Sequence, residues 1–230
     1  KLPENAITIG INHSFLSHRI FPLLYNFFTH LGCKIIIPDA MNEDALNRQT
    51  SSLCYPAQIA IGLFDNLLEK NPDYYFIPHI EEMHVPNGNT RKEFSATCIF
   101  IQGEAFYSKK AFLEHELDDK IISPTINFSG GWEKGRPQFM KVAKQLGFAK
   151  DAAKIAFNKA LEMQYALGIR AVNYGPTVDP ALIRAKMPDA MIDGHLPPFL
   201  LRDGSPEGIK QRIIEDFYKA GQTGGLRVTT

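Results

Sequence analysis

The chain has 230 residues, enough for one large or two small domains with a substantial core. Hydrophobic residues make up 44% and charged residues 22%, the balance of a soluble globular protein rather than a disordered or fibrous one. Lys plus Arg and Asp plus Glu number 25 each, so no global field draws the chain to nucleic acid or to an anionic membrane, and no apolar stretch approaches the roughly 20 residues a spanning helix needs.

Ala6-Ile7-Thr8-Ile9-Gly10-Ile11 is short, β-branched and predicts a buried strand. Over residues 19–31, Ile20, Leu24, Phe27, Phe28 and Leu31 recur at helical spacing, with Pro22 placed near the first turn. Gly32 closes that helix and Cys33-Lys34-Ile35-Ile36-Ile37 follows as a second strand, which completes a βαβ unit. Pro56 opens a helix striped by Ile59, Leu63, Phe64, Leu67 and Leu68, and Asn71-Pro72-Asp73 stops it.

Tyr74-Tyr75-Phe76-Ile77 is the next strand, followed by a polar loop over residues 81–97 and the short apolar run Cys98-Ile99-Phe100-Ile101. A helix is expected near 108–117, a strand over 120–126, and helix over 136–168 with a break at Gly147. Ser129-Gly130-Gly131 is too short for a phosphate loop and predicts a turn. Alternating strands and helices of this length predict an α/β fold: an open, parallel, Rossmann-like sheet with helices on both faces.

Beyond residue 168 the texture changes. Arg170-Ala171-Val172-Asn173, Ala190-Met191-Ile192-Asp193 and Leu226-Arg227-Val228-Thr229 predict three strands. Helices are expected over 180–186 and 206–220, the latter capped by Ser205, opened by Pro206 and striped by Ile209, Ile213 and Phe217. Two domains are expected, 1–165 and 166–230. The chain starts Lys1-Leu2-Pro3 without Met and stops inside a predicted strand, so a piece of a longer polypeptide is expected.

Cys33, Cys54 and Cys98 are too few and too irregular for a secreted disulfide framework, and the N-terminus shows no signal-peptide pattern; a cytoplasmic location is expected. Cys33 starts a strand within an apolar run and is expected in the core. Cys54 precedes the Pro56 helix, where helix-end amides favour a thiolate, and Cys98 follows the long loop after the Tyr74 strand. Two thiolates delivered to the crevice outside the strand ends could hold an iron–sulfur cluster. Residues separated by 43 positions carry no spacing signature, and small buried hydrophobes are the competing reading.

Asn26-Phe27-Phe28-Thr29-His30-Leu31-Gly32, Cys54-Tyr55-Pro56 through Gly62, Tyr75-Phe76-Ile77-Pro78-His79, and Thr97-Cys98 through Gln102-Gly103 occur in one order across residues 7–165. In that order they resemble the dehydratase-type domain of the 2-hydroxyacyl-CoA dehydratase and CoA-substrate activase family. The resemblance implies a [4Fe–4S] cluster held by Cys54 and Cys98, with His79 where many relatives carry a cysteine. It also implies an electron-accepting, dehydratase-like module served by an ATP-hydrolysing activator, with an acyl-CoA as possible substrate. The chain has no Walker-type loop, so it would be the accepting side. A third cysteine ligand is missing, Ile99 replaces a usual proline, and Gln58 replaces a common lysine.

The segments Arg170 through Val178, Gly194-His195-Leu196-Pro197-Pro198 and Gly224-Gly225-Leu226 resemble the uroporphyrinogen decarboxylase superfamily, which implies a partial (β/α)-barrel-like segment after a joint near 164–168. Asp193 and His195 stand at a strand end there, either as site groups or as a loop aspartate and a satisfied histidine. His79, Glu81, Glu82 and His84 form a further cluster in a predicted loop, either solvated or a zinc alternative. Two other functions stay open: a non-catalytic interaction domain of a larger polypeptide whose cysteines only pack, and a corrinoid-linked methyltransferase fragment.

Overall fold

The structure is a computed structural model that describes residues 3, 5–48, 54–84, 95–167, 171–174, 178–188, 190–222 and 224–229. It divides into two compact units, Lys1–Ala166 and Leu167–Thr230.

Unit 1 opens with β1 (Thr8–Ile11), α1 (Ser17–His30) and β2 (Lys34–Ile36). Next come α2 (Tyr55–Glu69), β3 (Tyr74–Phe76) and β4 (His79–Glu82). A one-turn helix α3 (Ile99–Gln102) leads into α4 (Glu104–Ala111), followed by β5 (Ile121–Ile122) and β6 (Thr125–Asn127). Helices α5 (Arg136–Gln145) and α6 (Lys150–Leu167) close the unit. The main sheet is wholly parallel in the order β2-β1-β3-β5, and β4 pairs with β6 in a separate parallel ribbon.

The alternation of side chains along β3 assigns the two faces of this sheet. Phe76 joins Phe27, Phe28, Phe139 and Phe157 on one face, where Phe27 meets Phe139 edge-on at 4.8 Å and Phe28 meets Phe76 at 5.1 Å. Tyr75 points to the other face and packs on Phe64, which in turn meets Phe112 at 5.6 Å. Helices α1, α5 and α6 therefore cover one face, and α2 and α4 the other. This is the expected open parallel sheet with both sides buried.

Three local departures have physical causes. The strand expected over 120–126 is split, because Pro124 has no N–H to donate; its carbonyl instead accepts from His79, which starts the β4–β6 ribbon. The helix expected near 108–117 starts earlier, at Glu104, and gives way to 3₁₀ turns over Leu113–His115 and Leu117–Asp119. Helix α1 begins at Ser17, which puts Pro22 in its second turn. Proline disturbs the ladder there. The buried Gln164 side chain of α6 bridges the gap, accepting from the Leu23 N–H at 3.1 Å and donating to the Arg19 carbonyl at 3.0 Å.

Gly62 shapes the approach to α2. A Cβ there would lie 2.8 Å from the Asn42 carbonyl oxygen, so only glycine lets the β2–α2 connection lie against the helix. The turn expected at Ser129-Gly130-Gly131 is present, with Gly131 at a φ of 117°.

Unit 2 contains β7 (Ala171–Tyr174), α7 (Pro180–Lys186), β8 (Met191–His195), α8 (Pro198–Asp203), α9 (Pro206–Asp216) and β9 (Leu226–Thr229). Its strands are parallel in the order β7-β8-β9. Ser205 caps α9 by accepting from the Gly208 N–H, as its sequence predicts. The helix expected over 206–220 turns into a π-helical turn over Phe217–Gly221. Along the expected stripe, Ile213 is 40% and Phe217 49% exposed. The small core of Ile192, Ala220, Ile183 and Leu226 is reinforced by Arg184, which donates to the carbonyls of Pro188, Ala190, Ala220 and Gly224.

Candidate functional site

In unit 1 the chain steps from β1 to β2 on one side and returns to β3 on the other. The crevice outside the carboxyl ends of β1 and β3 is therefore the switch point, where open α/β sheets bind ligands. A small pocket opens there, walled by Ile11, Phe76, Ile77 and Ile101 and reached by Asn12 and Glu104. Phe15 lines it with a left-handed φ of 42°, a costly conformation for a side chain of this size. The turn is held by the Ser14 N–H on the Asn12 carbonyl and the Ser17 hydroxyl on the Ser14 carbonyl.

Glu104, the first residue of α4, is buried at the inner end of this pocket. It accepts from Asn12 Nδ2 at 2.7 Å and from the Ser14 hydroxyl at 2.5 Å. Asn12 Nδ2 also donates to the Ala60 carbonyl of α2 at 3.0 Å, so one side chain ties β1, α2 and α4 together. Burial pushes the Glu104 acid up to about 7, against the pull of the Ser14 and Asn12 hydrogen bonds toward the carboxylate. Three nearby buried polar atoms, Asn12 Oδ1, Tyr107 Oη and Ser108 Oγ, have no hydrogen-bond partner among the described residues.

Cys54 and Cys98 occupy equivalent places as N-cap residues of α2 and α3. Both are exposed, whereas Cys33 is buried in the core and its thiol is pushed up to about 11 by burial. The packing alternative for Cys54 and Cys98 is thus overturned, because neither sulfur is enclosed. The run Cys98 through Ile101 begins a helix, and Ile99 is 74% exposed. Both thiols bear on one group: the Tyr107 hydroxyl is raised above its ordinary value by burial first, then by the charges of Glu104, Cys54 and Cys98. Tyr107 and the buried carboxyl of α4 thus form a neighbourhood on which both cysteines bear.

His79 lies beside this neighbourhood. Its Nδ1 meets the Gln102 carbonyl at 2.5 Å and its ring stacks on Phe106 at 4.8 Å between centroids. The loop expected around it is a strand, because His79, Ile80, Glu81 and Glu82 lie in β4. Alternation then turns neighbouring side chains to opposite faces. Glu82 is taken by the Ser95 hydroxyl and the Asn127 amide, and His84 meets Trp132 at 6.2 Å. Among the described residues no group of three or more His, Cys, Asp and Glu is placed to hold a metal ion, neither Cys54, Cys98 and His79 nor His79, Glu81, Glu82 and His84. In unit 2, Asp193 and His195 lie in the second half of β8, with Asp193 opposite Asn173 and Arg227 in register.

Sequence reasoning missed Glu104, Asn12, Ser14 and Tyr107. The one legible signal was position: Asn12 and Ser14 directly follow a buried strand, where such folds place ligand-contacting loops. Glu104 carries no local mark, since a carboxylate in a first helical turn is ordinary.

No helix among the described residues is long and apolar enough to cross a membrane. A family model described as CoA enzyme activase uncharacterised domain (DUF2229) matches residues 8–195, well over half of the chain and across the expected joint at 164–168. Comparison with curated proteins and with solved structures returns no match.

Proposed function

Since the chain belongs to the family of the CoA enzyme activase uncharacterised domain, we propose that it is an iron–sulfur, dehydratase-like electron-accepting module of a 2-hydroxyacyl-CoA dehydratase-type system. The observation that carries this is the placement of Cys54 and Cys98: two exposed thiols, each the N-cap of a helix, α2 and α3. Exposed helix-starting thiols suit soft iron, because amide dipoles offset thiolate charge.

The residues fit a [4Fe–4S] cluster in part. Cys54 and Cys98 would hold two of its irons, and His79 could add only Nε2, its Nδ1 being engaged by Gln102. The remaining positions need ligands from outside the described residues, such as a small thiol or a partner chain. When bound, the cluster supplies one-electron redox chemistry. The chain's own contribution is to present the two thiolates and keep the buried Tyr107 hydroxyl at hand as a donor. An ATP-hydrolysing activator is the proposed partner and an acyl-CoA the proposed substrate class. Free exposed thiols suit a reducing cytoplasm.

Anaerobic reconstitution with iron and sulfide should give a broad visible absorption that Cys54→Ala and Cys98→Ala abolish. Persistence of that absorption in both variants ends the proposal. For unit 2, the three parallel strands joined by helices support a second proposal, the barrel-like segment of a corrinoid-linked methyltransferase. Failure of the chain to bind cobalamin would remove it.

A further inference from the structure

Buried carboxyls that lack a cation partner are rare, because desolvation penalises the charged form. Among the described residues, Glu104 is such a group. What bears on it is the neutral Asn12 amide and Ser14 hydroxyl from the end of β1, the apolar wall of Ile11, Ile77 and Ile101, and Tyr107 from its own helix. Cys54 stands at the N-cap of α2, which packs on α4, and Cys98 at the N-cap of α3, which leads into it. His79 of β4 is engaged with Gln102, and His13 stacks on His18 at 3.9 Å. Among these groups, none brings a fixed positive charge.

The surroundings are also unfinished. Asn12 Oδ1, Tyr107 Oη and Ser108 Oγ are buried without partners among the described residues, the first on the amide that holds this carboxyl and the others within about a turn of it on α4. A cluster of unmet polar groups around one carboxyl at a ligand crevice calls for a chemical explanation.

We propose that Glu104 is an acid–base site: a carboxyl that takes up a solvent proton when negative charge is placed on the Cys54–Cys98 face and releases it when that charge leaves. The step balances simply. One negative charge arrives at sulfur, one proton joins the carboxylate to make the neutral acid, and the net charge of the site is unchanged. The coupling is through space: Tyr107, three residues along α4 from Glu104, feels the carboxyl and both cysteines. Glu104 is held between its two states because burial favours the acid while Asn12 and Ser14 favour the carboxylate, and its value of about 7 agrees with that balance. The site chemistry rests on the cysteine-face reading, but its measurement does not require iron.

The test follows the Glu104 carboxyl by carbon-13 NMR in the full chain labelled at glutamate carboxyls. Glu104→Gln assigns the resonance; should that variant not fold, Ser14→Ala assigns it by raising the same midpoint, since it removes a donor to the carboxylate. Native protein is alkylated with iodoacetate, which leaves a negative carboxymethyl group on each exposed cysteine, or with iodoacetamide, which leaves a neutral one. The midpoint should rise by about half a pH unit or more with iodoacetate and stay with iodoacetamide. Equal midpoints in the two samples, or no Glu104 titration between about pH 5 and 9, overturn the proposal. A shift in a protein that binds no iron leaves the proton site standing and removes the cluster. Iron binding without a shift does the reverse.

Discussion

Asn12 Nδ2 donates to Glu104 Oε1 at 2.7 Å, joining the end of the first strand to a helix 92 residues later. The same nitrogen holds the Ala60 carbonyl of α2. Three elements that frame the cysteine face are thereby fixed by one side chain, and the carboxyl it holds has no charged partner among the described residues.

Stability should depend on pH through Glu104 in an unusual direction. Its folded value, about 7, lies above the ordinary 4.5, so the acid form is favoured by folding. Its contribution is fully present below about 4.5 and is lost as pH rises through 7, a change on the order of 3 kcal/mol. His13 and His18 act oppositely: burial, joined at His13 by repulsion from His18, lowers both, so they add stability as pH rises through the ordinary histidine range. Urea melts of wild type and Glu104→Gln at about pH 5 and pH 8 separate the two. The variant should lose less stability between them, and equal losses would refute the assignment.

Tyr107→Phe should cost nothing in stability and could raise it by up to about 1 kcal/mol, because it deletes a buried hydroxyl without a partner among the described residues. Thermal melts of the two proteins decide it. A loss above about 1 kcal/mol would mean the hydroxyl is hydrogen-bonded in the folded protein.

Native thiol counting distinguishes the three cysteines. Cys54 and Cys98 are exposed and should react with a maleimide at once. Cys33, buried and pushed up to about 11, should react only after unfolding. Three fast thiols would place Cys33 outside the core.

Gln164→Leu should destabilise unit 1 by about 1–3 kcal/mol, since it leaves the Leu23 N–H and the Arg19 carbonyl unmet at the proline turn of α1. Denaturant titration reads the loss. A change under about 0.5 kcal/mol would show that α1 repairs the gap by itself.

Arg184→Met should loosen unit 2, where that guanidinium holds four carbonyls on its own element's flank and the approach to β9. Charged hydrogen bonds of this kind contribute about 1.5–3 kcal/mol each at most. Hydrogen exchange should accelerate over Ala190–His195 and Leu226–Thr229 while unit 1 is unchanged; uniform protection in both would contradict the role.

Much of the architecture was legible in residue order alone. Period-2 and period-3.6 patterns marked β1, α1, α2 and β3, and Ser205-Pro206 marked the start of α9, because burial periodicity and caps are local properties. The positions of Cys54 and Cys98 before helices were local in the same sense. Their exposure was not, since it depends on what the rest of the chain does or does not place over them. Nor could any window of sequence show that Glu104 meets Asn12, or that Gln164 mends a proline turn 141 residues earlier. A carboxylate in a first helical turn and a glutamine in a long helix look like solvated surface until packing removes water from around them. Desolvation is a property of the assembled volume, so the order of residues determined the elements, and the tertiary structure decided which polar groups carry chemistry.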